Sequence, residues 1–302
     1  MNIFCKKNYC NENPILVNLK FGFTLVELLV VVAIIGILAT LITAAAFRVI
    51  ATTRVTTIRM NIAELEQALE LYKNKFGEYP PNTSDIPAML RHIRKRWPRC
   101  NVTSALDTST NPPTPIAPIT VNGQNISSMT LANNALLFWL GGFRNSDGKY
   151  CGFNVDKEHP FHLPSGATAT NGGSSTLYDN EVFIELVEGV NVTGINGVNY
   201  IVSRDAPIVY FRGTKGGGPN AYDSTLNIQF AAPTEFGDIV PYKKDSTKWH
   251  NPETFQLIHP GLDGIFGTGT TARQTNDSTG LTDPDYDNIT NLGTSTIEAL
   301  LP

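Results

Sequence analysis

Apolar residues run almost unbroken from Gly22 to Leu41, GFTLVELLVVVAIIGILATL, and one ionisable residue, Glu27, interrupts them. Leu28 to Phe47 carries no charge and has about the length that crosses a bilayer core at roughly 1.5 Å per residue. The pattern then changes. Ile58, Ile62, Leu65, Leu69, Tyr72 and Phe76 recur at alternating steps of four and three, one stripe of an amphipathic helix. No proline falls between Phe23 and Phe76, so the two segments predict one helix of about 50 residues, on the order of 80 Å long. Its first half is apolar all round and faces lipid or other helices; its second half packs one side under a globular head. Gly77 stands where a helix C-cap glycine belongs, and Pro80-Pro81 prevent the same helix from restarting.

Beyond the helix the pattern weakens. A short helix is expected over Ile86–Trp97, and the Pro/Thr/Ser/Asn-rich residues 101–125 read as a loop. Leu131–Leu140, LANNALLFWL, fits a buried helix stopped by Gly141-Gly142. Residues 164–177 are loop-like, and strands are expected at Glu181–Val187, Asn199–Val202, Ile208–Phe211, Leu226–Phe230 and Thr254–His259, with turns such as Asn196-Gly197 between them. Helices first and strands later predict an α+β fold, a long N-terminal helix packed on an antiparallel sheet head. No internal repeat is visible.

Charge and candidate chemistry change this picture little. A formal net charge of −4 argues against a nucleic-acid-binding body. The basic run Arg91-His92-Ile93-Arg94-Lys95-Arg96-Trp97-Pro98-Arg99 reads as the solvated face of a short helix, with contact to anionic headgroups or an acidic partner as the alternative. Lys6, Lys7 and Lys20 against Glu12 favour a cytoplasmic N-terminus, an argument that Arg48, Arg54 and Arg59 on the other flank blunt. His159 and His162 form the closest histidine pair, but no HExxH helix or Cys/His set accompanies them, no G-x-S-x-G elbow is present, and Gly216-Gly217-Gly218 lacks the lysine that follows a phosphate loop. The chain reads as no enzyme. Glu27 is the exception to this blandness, because an ionisable group at membrane depth is costly and needs a partner.

The string Gly22-Phe23-Thr24-Leu25-Val26-Glu27 resembles the processing site of type IV pilins and type II secretion pseudopilins. The resemblance implies that a prepilin peptidase cleaves between Gly22 and Phe23 and that the new N-terminus, Phe23, is methylated. Glu27 would then pair with the amine of a neighbouring subunit during assembly, and the N-in, C-out orientation follows. A secretory signal peptide fits worse, since its apolar region runs only roughly 7–15 residues. Ala68 to Pro80, ALELYKNKFGEYP, is similar to the helix exit of the major pseudopilin.

Further on, Leu257-Ile258-His259-Pro260-Gly261-Leu262-Asp263-Gly264 and Asp283-Pro284-Asp285-Tyr286-Asp287 resemble that protein's calcium-closing C-terminal loop. Carried over, Leu257 offers a carbonyl and Asp263, Asp285 and Asp287 carboxylates to Ca2+, oxygen ligands such as calcium takes. His259 replaces a serine of the pattern and is a poor calcium ligand. An EF-hand is rejected, because Asn288 and Thr294 stand where its glycine and bidentate glutamate belong. Loss of the leader discards Cys5 and Cys10 and leaves Cys100 and Cys151, a pair able to form one periplasmic disulfide if their separation permits.

The expectation is therefore a pilin-like structural subunit of a type II secretion pseudopilus: leader 1–22, membrane and assembly half-helix 23–47, amphipathic half and exit 48–80, variable helix/loop region 81–180, and β-sheet head 181–302. Its implied partners are identical and minor pseudopilin subunits, prepilin peptidase, the inner-membrane assembly platform and the membrane, with no nucleic acid. It would sit in the inner membrane with a periplasmic head and then in a periplasmic filament. A type IV pilin, a minor pseudopilin, or a pilin-anchored ligand-binding or enzymatic head is the alternative.

Overall fold

A computed structural model describes residues 24–81, 86–107, 114–121, 124–125, 135–143, 149–161, 178–179, 181–183, 192–195, 198–213, 221–222, 228–229, 236–268, 273–293 and 296–302. The cleavage pair Gly22–Phe23, His162, the 164–177 loop, Asn196-Gly197 and the 216–218 glycine run lie outside them. By contacts the chain divides into two units, Met1–Ile50 and Ala51–Pro302. The fold is α+β, with a long N-terminal helix and small, mostly antiparallel sheets.

In the first unit the helix α1 (Leu25–Phe76) presents exposed apolar side chains from Leu28 through Phe47 on every side. It is the one helix among the described residues long and apolar enough to cross a membrane. In the second unit the predicted stripe is buried: Ile58, Ile62, Leu65, Leu69 and Tyr72 are sealed, and Phe76 packs against them at the rim.

The helix exit explains its own sequence. Gly77 takes φ +79, a left-handed conformation that favours glycine, and its N–H donates to Lys73 O at 2.6 Å. Lys95 Nζ, from α2 (Ile86–Arg96), donates to Phe76 O, one of the carbonyls the helix end leaves open. Carbonyls of the following prolines are taken from across the head. Tyr210 Oη donates to Pro80 O at 2.8 Å and Trp139 Nε1 to Pro81 O at 2.7 Å.

The described part of 101–125 is not a loop. β1 (Val102–Asp107) and β2 (Thr114–Val121) form an antiparallel pair, with β3 (Gln124–Asn125) on β2. Pro118 is tolerated because the register shifts between Ser104 and Ala105, which leaves Ala117 and Pro118 unpaired, while Pro115 stays opposite Leu106. The expected 131–140 helix is α3 (Ala135–Gly141), ended by Gly142 at φ +72; Leu131 to Asn134 lie outside the described residues. Trp139 sits at the centre of rings from His92, Phe138 and Phe153, with centroids 5.0, 5.0 and 6.2 Å away.

β4 (Val192–Ile195), β5 (Val198–Ser203) and β6 (Ala206–Pro207) form one antiparallel sheet. The described part of the expected strand at 181–187 is irregular. There Phe183 N–H donates to Leu140 O, and Glu181 pairs with Lys75 at 2.8 Å. β7 (Val209–Arg212) matches the expected strand at 208–211, and the described part of the expected 226–230 strand is β8 (Ile228–Gln229), paired with β9 (Asp238–Ile239). β10 (Tyr242–Lys243), β11 (Phe255–His259), β12 (Arg273–Gln274) and β13 (Ile289–Thr290) follow. β11 lies between β13 and β7, antiparallel to both, and β10 pairs with β12 in parallel.

Every residue of β11 is buried, because this sheet is covered on both faces. Alternate side chains enter separate cores: Ile201, Tyr210 and Leu257 join the helices, while Val202, Val209, Phe211 and Ile258 join Tyr242, Trp249 and Phe266 on the other side. The second core is roofed by the C-terminal segments that carry the acidic loop.

Candidate functional site

Two places carry candidate chemistry. At the start of α1, Thr24 and Glu27 bond reciprocally: Thr24 N–H and Oγ1 donate to Glu27 Oε2 at 2.9 and 2.8 Å, and Glu27 N–H donates to Thr24 Oγ1 at 3.2 Å. This is a capping box, which satisfies two of the donors a helix start leaves open. The T-x-x-E spacing signals it in the sequence, so the carboxylate singled out for assembly also begins the helix.

At the C-terminal loop the expected calcium ligands separate. Leu257 lies inside β11, where its carbonyl accepts Asn291 N–H at 3.3 Å and its N–H donates to Asn291 Oδ1 at 2.8 Å. Asn291 also reaches Glu66 of α1 at 3.2 Å, so one side chain ties helix, central strand and C-terminal segment together. Asp287 Oδ2 accepts Leu262 and Asp263 N–H at 2.6 and 3.0 Å, while Asp263 Oδ1 accepts Ile265 N–H at 2.8 Å. Burial pushes the Asp263 carboxyl up, and the neighbouring Asp287 adds to this. Gly261, at φ +66, lets the loop close on Asp287, since a Cβ there would lie 2.3 Å from Asp287 O.

Asp285 belongs to a different cluster. It is fully buried, ion-paired to an equally buried Arg273 at 2.7 Å, and it accepts from Tyr242 Oη at 2.9 Å and from Thr282 N and Oγ1, both at 2.8 Å. Burial pushes its carboxyl up, and Arg273 is the largest influence opposing that. Among the described residues no group of three His, Cys, Asp or Glu is placed to hold a metal. Of the four expected ligands, Leu257 O is thus taken by Asn291 and Asp285 by Arg273, and Asp263 and Asp287 lie side by side.

His259, the departure from the pseudopilin pattern, has a structural role. Its Nε2 donates to Ser203 O at 2.8 Å and its Nδ1 accepts Gly261 N–H at 3.1 Å, an arrangement available to the neutral ring alone. Burial pushes its pKa down to about 4. The unfolded chain, with an ordinary histidine near about 6.5, takes up a proton that the fold refuses. Stability from this residue is thus complete above roughly pH 6.5 and is lost as pH falls towards 4, by about 3 kcal/mol in all. His92 shifts the same way through burial, opposed by Glu78. Thermal melts at pH 7 and pH 4.5 should show the drop, and His259→Gln should flatten it; equal slopes in both proteins would refute the assignment.

The remaining candidates are structural. Cys100 and Cys151 stand as two buried thiols rather than as a disulfide. His159 is exposed and bonds Asp156 at 2.9 Å. The basic run divides: Arg91, Arg94, Lys95 and Arg99 face outward, whereas Arg96 is buried over Phe76, Trp97 and Phe153, at 4.3, 4.5 and 4.6 Å from the ring centroids. Cation–π contact, the Glu181 carboxylate at 3.9 Å and a hydrogen bond donated to Tyr72 Oη at 3.3 Å offset the cost of burying that guanidinium.

Residues 18–43 match the family model of the prokaryotic N-terminal methylation motif. That motif is type IV prepilin-like and implies processing by prepilin peptidase. No curated protein and no solved structure matches the chain.

Proposed function

We propose that this chain is a structural subunit of a type II secretion pseudopilus, cleaved between Gly22 and Phe23, methylated on Phe23 and assembled from the inner membrane into a periplasmic filament. One observation carries this reading. The methylation motif at 18–43 opens onto a single helix whose start is apolar on every side and whose end, from Ile58 to Tyr72, is buried on one. A helix apolar all round needs lipid or other helices about it, which a membrane store and a filament core both supply. Identical and minor subunits and the assembly platform are the partners this implies.

Gly22→Val is expected to leave the leader attached, while the wild type loses it and gains one methyl group at Phe23. Intact-mass measurement of both membrane-extracted chains decides this, and a variant cleaved like the wild type would overturn it.

A type IV pilin or minor pseudopilin is the second reading, favoured by one observation: Asp285, expected among the calcium ligands of the major pseudopilin pattern, is ion-paired with Arg273. The rings packed around the fully buried Trp139 fill that part of the head, which argues against a ligand-binding cavity built on it.

A further inference from the structure

Arg273 is fully buried against the second core, beside Tyr242 and Phe266. It enters from β12, whose pairing with β10 sets Arg273 opposite Tyr242. Around it are the Asp285 carboxylate at 2.7 Å, Phe266 O at 3.1 Å and Asp238 O at 2.8 Å. One carboxylate and two main-chain carbonyls are the ligand types a hard divalent cation takes, here drawn around a side-chain cation. The surrounding donors extend the network: Asn288 Nδ2 donates to Phe266 O and to Tyr242 Oη, each at 2.8 Å, and Tyr242 Oη donates to Asp285, while Arg273 Nε and Asn288 Oδ1 have no hydrogen-bond partner among the described residues. Segments distant in sequence, at 238, 242, 266, 273 and 282–288, thus converge on one positive charge.

We propose that the Arg273 guanidinium is the built-in cation of the C-terminal loop and does the structural work for which calcium was expected, so that the head closes without metal. Asp285 cannot serve both, since a divalent ion at its carboxylate would face a guanidinium at contact distance, and like charges repel steeply in a dry interior. The Asp263–Asp287 neighbourhood is what remains on the loop surface: Leu262, Asp263 and Ile265 N–H groups occupy Asp287 Oδ2 and Asp263 Oδ1, and Asp287 Oδ1 is left as a buried oxygen without a partner among the described residues, far short of the roughly six to eight oxygens calcium takes. Such a lock is a property of the head alone, independent of whether the chain builds a filament.

The test uses the full chain in detergent, melted in calcium chloride and in chelator. Wild-type melting is expected to be the same in both, whereas a metal held only by the fold raises Tm by several degrees at about a hundredfold excess over its dissociation constant. Arg273→Met is expected to lower Tm by roughly 10 °C, because it strands a buried carboxylate, and adding Asp285→Leu should recover most of that loss. A calcium-dependent rise in the wild type, reversed by chelator, would overturn the proposal, as would an Arg273→Met protein that melts like the wild type. If Arg273→Met does not fold, the wild-type calcium comparison decides alone. Filament and processing assays read the subunit assignment separately, so either idea can fail without the other.

Discussion

Glu27→Gln and Glu27→Ala are both expected to insert and be cleaved normally and to yield no filaments. A carboxylate at the centre of a membrane helix costs about 2.5–3.5 kcal/mol on insertion scales; Glu27 stands in the first turn of α1, where that figure is an upper bound, and an opposite charge on a neighbouring subunit offsets the cost. The capping box with Thr24 complicates the alanine variant, because losing a helix cap costs about 0.5–2 kcal/mol by itself. Glutamine separates the two roles: it keeps the capping geometry, which accepts Glu or Gln, and removes the charge. Filaments counted by electron microscopy from membranes with equal amounts of processed protein give the answer. Normal filaments from Glu27→Gln would end the charge-pairing mechanism and leave Glu27 as a helix cap.

Trp139→Ala is expected to destabilise the head more than any surface change. Removing a buried indole costs about 3–5 kcal/mol through lost transfer energy and the cavity left behind. Here it also orphans Pro81 O, whose donor at 2.7 Å is the indole N–H, for about 1–3 kcal/mol more. The site has little room to relax, since Trp97, Phe138, Phe153 and His92 already press ring against ring. At about 2–4 °C of Tm per kcal/mol for a domain of this size, the loss should be on the order of 10–20 °C. Trp139→Phe keeps a ring, loses the N–H, and should fall between the two. A drop under roughly 5 °C for alanine would mean that the cluster collapses to fill the cavity.

Much of this was legible in particular residues. The stripe Ile58, Ile62, Leu65, Leu69 and Tyr72 is the buried face of α1, and Gly77 ends that helix as its position indicated. Thr24 and Glu27 carry a capping signal in their T-x-x-E spacing, in the same residues that mark the carboxylate at membrane depth. The strands at 102–107 and 114–121 were obscured by prolines, which read as breakers until the register showed Pro118 unpaired where it shifts. Arg273 gave no signal at all, a lone basic residue in a polar stretch.

The sequence by itself determined the apolar anchor, the processing motif, the amphipathic half of α1 and its exit, because helical periodicity and the avoidance of water by apolar side chains act over a few neighbouring residues. Only the tertiary structure decided what the acidic residues do. A buried carboxylate takes its character from whatever charge the fold brings beside it, and the chain reversals that set Arg273 against Asp285, and Asp263 beside Asp287, join segments whose separation in sequence no local pattern records.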